Sequence, residues 1–251
     1  MKHMLMVAAT GLLAAVPPAS NAPPSWGRWQ HWGDQRDGSY RNPVMPADFS
    51  DLDAIRVGDT FYAISSTLHG SPGMAVLGSR DLVSWRVIGH VVPDLTVLGP
   101  EYGWDPLARH GRGVWAGSIR HHAGRFHVFF GTPDEGMFVS SATDPRGPWS
   151  PLTRLIEGAG WDDCSALWDE DGRGYFVATK FADGYKTYLF RMAADGRSID
   201  RASATLIHEG LGREASKLIE RDGWYYIVYS EHKEGVGRYV MARRSRALIG
   251  P

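Results

Sequence analysis

Short apolar runs broken by Gly, Pro and Asp recur along the chain, and few stretches sustain a 3.6-residue period. Strands therefore dominate and helices are scarce. The segments AIRVGDTFYAISS, SIRHHAGRFHVFFG, ALWDEDGRGYFVAT and KLIERDGWYYIVYS share one pattern: an apolar strand, a polar turn centred on Gly, then an aromatic-rich strand. Each is the signature of a β-hairpin. The turn glycines Gly58, Gly124, Gly172 and Gly223 are spaced by 66, 48 and 51 residues. A second hairpin follows each first one, in GMAVLGSRDLVSWRVIG, GMFVSSATDPRGPWSPL, YKTYLFRMAADGRSID and RYVMARRSRALIGP, and the fourth stops at Pro251 before an outer strand. One hairpin pair per ~50 residues is the period of a four-stranded propeller blade, whereas a β-sandwich, the rival all-β architecture, has no such internal period. The pattern predicts an all-β propeller with about four blades present.

The first 22 residues, MKHMLMVAATGLLAAVPPASNA, have a basic start at Lys2, an apolar run from Met4 to Val16 and small residues at Ser20 and Ala22. This is the layout of a secretory signal peptide. Residues 23–39 then form a lead-in, and the repeats occupy residues 40–251. The apolar run is too short to span a bilayer and no later segment reaches ~20 apolar residues, so the expectation is a secreted protein, extracellular or periplasmic, with no membrane partner.

Composition narrows the partner further. A net charge of −1, from 27 basic and 28 acidic residues, supplies no broad attraction for nucleic acid or anionic membranes. An uncharged partner fits better. Aromatic residues make up 12% of the chain, enough to pack blades together and to stack on the apolar faces of sugars. The lone Cys164 excludes an intrachain disulfide. No G-x-S-x-G elbow, H-E-x-x-H helix or G-K-[ST] phosphate loop is present, which removes the main support for serine hydrolase, zinc protease and nucleotide-binding readings. His121 and His122 adjoin on a strand and so point to opposite faces, which argues against a shared metal site.

The series NPVMPADFSDLDAIRVGDTFYA, SPGMAVLGSRDLVSWRVIGHVV, GRGVWAGSIRHHAGRFHVFFG, DPRGPWSPL, GWDDCSALWDEDGRGYFV and GREASKLIERDGWYYIVYS resembles glycoside hydrolase family 43, in content and in order, over roughly residues 40 to 251. The resemblance implies a five-bladed β-propeller that hydrolyses glycosidic bonds with carboxylates. Counted from Asn42-Pro43, the position matching the family's general base is Asp51, with Asp53 its nearest competitor. Counted back from Trp168-Asp169, the acid that tunes and orients the proton donor is Asp163 rather than Asp162. The general acid corresponds to Glu214, eleven residues before Tyr225. Trp115, Leu68 and His69 match the wall of the sugar pocket. Inversion needs two carboxyl groups facing each other across the sugar, ~6.5–9.5 Å apart. The inner strands of different blades can supply them. Without the resemblance, each acid would be read as a turn or strand-end residue bonded to nearby backbone.

The chain departs from the family pattern at Leu52, Ala116-Gly117 and Ala215-Ser216, where relatives often have proline-containing pairs. The resemblance also implies one further repeat after Pro251 that would carry an Arg or His to the sugar pocket. Four blades without it would leave apolar faces uncovered. No cofactor is required for the chemistry. Relatives sometimes hold a cation, often calcium, in the central channel, but no oxygen-rich loop of the EF-hand kind is visible, so a structural calcium stays unassigned. The implied activity is inverting, exo-acting removal of terminal xylose or arabinofuranose from hemicellulose such as xylan, an oligosaccharide or polysaccharide of the plant cell wall. The alternative is a catalytically inactive sugar-binding propeller left by truncation. Oligomeric state is not legible.

Overall fold

The computed structural model describes residues 32–105 and 107–249, so the expected signal peptide lies outside the described residues. Among the described residues, fifteen strands form four antiparallel sheets. The first comprises β1 (Asp53–Val57), β2 (Thr60–Ser65), β3 (Gly73–Ser79) and β4 (Trp85–Val92). The second comprises β5 (Gly117–His122), β6 (Arg125–Thr132), β7 (Gly136–Ala142) and β8 (Thr153–Glu157). The third comprises β9 (Trp161–Trp168), β10 (Gly174–Lys180), β11 (Lys186–Met192) and β12 (Ile199–His208). The fourth has three strands, β13 (Glu214–Arg221), β14 (Trp224–Lys233) and β15 (Gly237–Ser245). Strand order within each sheet follows the sequence, and β1, β5, β9 and β13 lie side by side in turn, giving four blades in a propeller arrangement.

The hairpins form where the turn chemistry demands them. Gly58, Gly124, Gly172 and Gly223 all have positive φ, and the Ala123-Gly124 and Asp222-Gly223 turns take positive φ at both central residues. That geometry matches the twist of the flanking strands. One outer strand differs from expectation: the segment Trp149 to Leu152 lies outside the ladder and β8 begins at Thr153. Pro148 and Pro151 have no N–H to offer a ladder, and the segment is held instead by Ser140 Oγ donating to the Ser150 carbonyl at 2.6 Å.

Strand alternation feeds two interfaces from each middle blade. Phe129 and Phe130 are adjacent on β6 and both fully buried, yet Phe130 packs with Ile64, Val76 and Ile119 of the first interface and Phe129 with Phe176 and Phe190 of the second. Val177 turns from β10 to the third interface, where it meets Leu189 and Leu218. The first blade's other face, at Ala63, Leu77 and Trp85, is covered by Val44, Met45 and Phe49. The fourth blade's far face leaves Ile219 45% and Val240 73% exposed.

Candidate active site

The three acids singled out by the sequence sit at irregular starts of inner strands. Asp51 precedes β1 with φ of 55°, and its Oδ2 accepts from Ser66 Oγ at 2.6 Å. Asp53, two residues on, is engaged elsewhere: its Oδ2 accepts the Ile119 N–H at 2.8 Å and Arg120 Nη1 at 2.7 Å, tying the first blade to the second. Asp163 is the extra residue of a bulge in β9, since Asp162 pairs with Thr179 and Cys164 with the neighbouring Ala178. Its φ is 47°. A bulge re-aims the side chain it carries. The Asp163 Oδ2 accepts the N–H of Ala215 at 2.8 Å, so it is clamped to the residue that follows Glu214. Glu214 opens β13 and its Oε1 lies 2.7 Å from Arg238 Nη1, which also holds Ser230 Oγ at 2.7 Å.

Electrostatics joins these acids into one cluster. Burial raises the Asp163 carboxyl above the ordinary carboxylate range; the Ala215 N–H and the Lys217 charge oppose it, and the Glu214 and Asp51 charges reinforce it. Burial first, then the Asp163 charge, push the neighbouring Asp162 up to about 8, and Asp51 and Glu214 add to the effect. The Oδ1 of Asp162 is buried without a hydrogen-bond partner. Carboxyl groups from the first and fourth blades therefore act on the two adjacent acids of the third. Like charges held together favour retention of a proton by one of them, which general-acid chemistry needs.

Beside Asp51 opens a cavity of about 350 Å³ lined by Ser50, Ser66, Leu68, His69 and Trp104. Leu68 and His69 thus share a wall with the residue that bonds Asp51. The His69 ring stacks on His110 at 4.3 Å, and Trp104 stands 75% exposed at the cavity. Trp115 takes a different position: its Nε1–H donates to the Gly111 carbonyl at 3.2 Å and its ring stacks on Phe181 of the third blade at 5.9 Å. The connection 93–116 carries both tryptophans and is pinned by Arg109, which pairs with Glu135 at 3.0 Å, Asp134 at 3.1 Å and Glu101 at 3.3 Å. The Tyr102 hydroxyl donates to Glu135 as well.

The match to known proteins settles the lineage. The profile of Glycosyl hydrolases family 43 matches residues 40–251. This chain belongs to glycoside hydrolase family 43. A β-xylosidase homologue of Xylanibacter ruminicola is 41% identical over 220 residues, 88% of this chain and 40% of that protein. The non-reducing end α-L-arabinofuranosidase BoGH43B of Bacteroides ovatus is 28% identical, over 85% of this chain and 40% of its own length. Among solved structures, the family 43 protein GH43B of the Bacteroides ovatus xyloglucan locus matches with a TM-score of 0.69 and 28% identity, over 84% of this chain and 41% of that one. The chain thus spans about 40% of the length of the curated relatives it matches.

Family 43 membership does not by itself bring Arg238, Phe181 or Trp104 into view. Arg238 reaches Glu214 only through the β13–β14–β15 register, which places Glu214 opposite Ser230 and His232 opposite Arg238. Phe181 lies in a short 3-10 turn outside the repeat pattern. Trp104 carries the one readable signal, an aromatic residue in a long connection without strands, where binding residues concentrate.

Proposed function

We propose that this chain is the propeller of an inverting, exo-acting glycosidase that releases terminal xylose or arabinofuranose from hemicellulose, with Asp51 as general base, Glu214 as general acid and Asp163 as the residue that positions the acid. The observation that carries the reading is the clamp of Asp163 on the Ala215 N–H, which fixes two carboxyl groups from neighbouring blades beside each other. In this reading, Asp51 takes a proton from a water that attacks the anomeric carbon. Glu214 gives its proton to the departing glycosidic oxygen, and the bond to that oxygen breaks on the opposite face. Ser66 holds one Asp51 oxygen and leaves the other for water. Asp163, by accepting the Ala215 N–H, holds the start of β13 that carries Glu214 in place beside the leaving oxygen. The cavity by Leu68 and His69, with Trp104 at its side, is suited to a single uncharged pentose. The amino-terminal pattern of Lys2 and the Met4–Val16 run supports secretion, which would bring the enzyme to wall polysaccharides.

The test is hydrolysis of aryl β-xylosides and α-arabinofuranosides, with the first-formed anomer read by proton NMR. Inversion yields the opposite anomer first. Glu214→Gln should lower kcat by about 10²–10⁴-fold on glycosides with poor leaving groups and far less on dinitrophenyl glycosides, which need no acid. Sugar binding by calorimetry with no turnover of any glycoside would identify a sugar-binding propeller instead.

A further inference from the structure

The inner strands of all four blades meet at two side chains of one sign. Arg120, on β5, donates from Nε to the Ala166 carbonyl at 2.6 Å and from Nη2 to Ser165 Oγ at 2.8 Å, both on β9. Its Nη1 donates to Asp53 Oδ2 of β1 at 2.7 Å and to its own neighbour's carbonyl, Ile119, at 2.6 Å. Lys217, on β13, donates from Nζ to the Gly117 carbonyl of β5 at 2.7 Å and to the Cys164 carbonyl of β9 at 3.2 Å. Ser165 Oγ also receives the Leu218 N–H at 3.0 Å, which completes the link from β9 to β13. The Arg120 and Asp53 side chains are only 17% and 11% exposed.

A divalent cation in the channel, as some relatives have, does not fit this donor set. Calcium takes six to eight oxygen ligands, with carboxylates prominent among them. Here the Gly117, Cys164 and Ala166 carbonyls already accept from an ammonium or a guanidinium, and the carboxylate of the network, Asp53, is paired with Arg120. No group of three or more His, Cys, Asp or Glu side chains able to hold a metal occurs among the described residues. Two fixed positive charges at the same place would also repel a dication.

We infer that Arg120 and Lys217 are the resident cations of the channel, joining the four inner strands at one point so that the blades stay assembled without a bound metal ion. The placement bears on the acids as well. Cys164 directly follows Asp163, and Lys217 lies two residues after Ala215, so the same network sets the two strands between which the Asp163 clamp is made.

The experiment is metal analysis of the purified full chain, followed by thermal unfolding with excess EDTA and with millimolar calcium chloride. The expected result is substoichiometric calcium and a Tm unchanged within about 1 °C in either condition, because a ligand stabilises only what it binds. Lys217→Met should lower Tm by about 5 °C or more, or prevent folding, and Lys217→Arg should recover most of the loss. One tightly held calcium per chain, a fall in Tm with EDTA, or a Lys217→Met chain as stable as the parent would overturn the inference.

Discussion

At the scale of single residues, the acids divide by how their oxygens are occupied. Asp53 spends its Oδ2 on the Ile119 N–H and Arg120, so it works as a structural tie, while Asp51, among the described residues, is hydrogen-bonded by the Ser66 side chain alone. Asp162 is the unusual member, raised to about 8 by burial and by Asp163, with an oxygen that no donor reaches. An acid raised in the folded state binds more protons there than in the unfolded chain between its two pKa values. Its stabilising contribution is complete below about pH 4 and is lost as pH rises toward 8. Asp162→Asn removes that titration while keeping the shape of the side chain. The variant should match the parent Tm near pH 4 and exceed it increasingly as pH rises, by about 5 °C or more at pH 8. Melting curves across that range check it, and equal slopes for parent and variant would remove Asp162 from the account.

At the scale of elements, a bulge, a buried histidine and a strand register decide what a linear reading could and could not find. The hairpins were legible because Gly124 and Gly223 meet a requirement local to the turn, positive φ next to a strand end. Counting from Trp168-Asp169 singles out Asp163, whereas the bulge opposite Thr179 and Ala178 that sets it apart from Asp162 belongs to two strands at once. The partnership of Glu214 with Arg238 likewise depends on register across three strands, which no short pattern encodes. The joint between the third and fourth blades was hidden for the same reason. There His208, at the end of β12, bonds Ser216 of β13 at 3.1 Å and stacks on Tyr229 at 4.3 Å. Burial, with Arg243 and Arg213 nearby, depresses its pKa to about 4. The unfolded chain therefore binds the extra proton first as pH falls, and stability is lost between about pH 6.5 and 4. His208→Gln should flatten part of that acid limb, by about 2–5 °C in Tm at pH 5 relative to pH 7. An unchanged limb would shift the acid sensitivity to His127, the other buried histidine depressed to about 4.

Across the whole molecule, burial is graded from blade to blade, and the gradient predicts where the structure opens. In β6 seven of eight residues are buried, and Phe129 and Phe130 anchor interfaces on both sides. In β14 one of ten is buried, and in β15 none is. The third interface is correspondingly small, with Val177, Leu189 and Leu218 at its centre against the larger aromatic cluster around Phe176. Local opening free energy follows buried apolar contact, so amides with many buried neighbours exchange only on global unfolding and those without exchange sooner. Among the described residues, strand β15 pairs only with β14 in its sheet. Hydrogen exchange followed by mass spectrometry should therefore show β6 and β10 as the slowest segments and the β14–β15 hairpin as the fastest of the strands, by about 10²-fold or more in rate. Because Arg238 stands on that hairpin and holds Glu214, the same opening would release the proposed general acid from its partner. Protection in β15 equal to that in β6 would show instead that the network at Lys217 makes the four blades one cooperative unit.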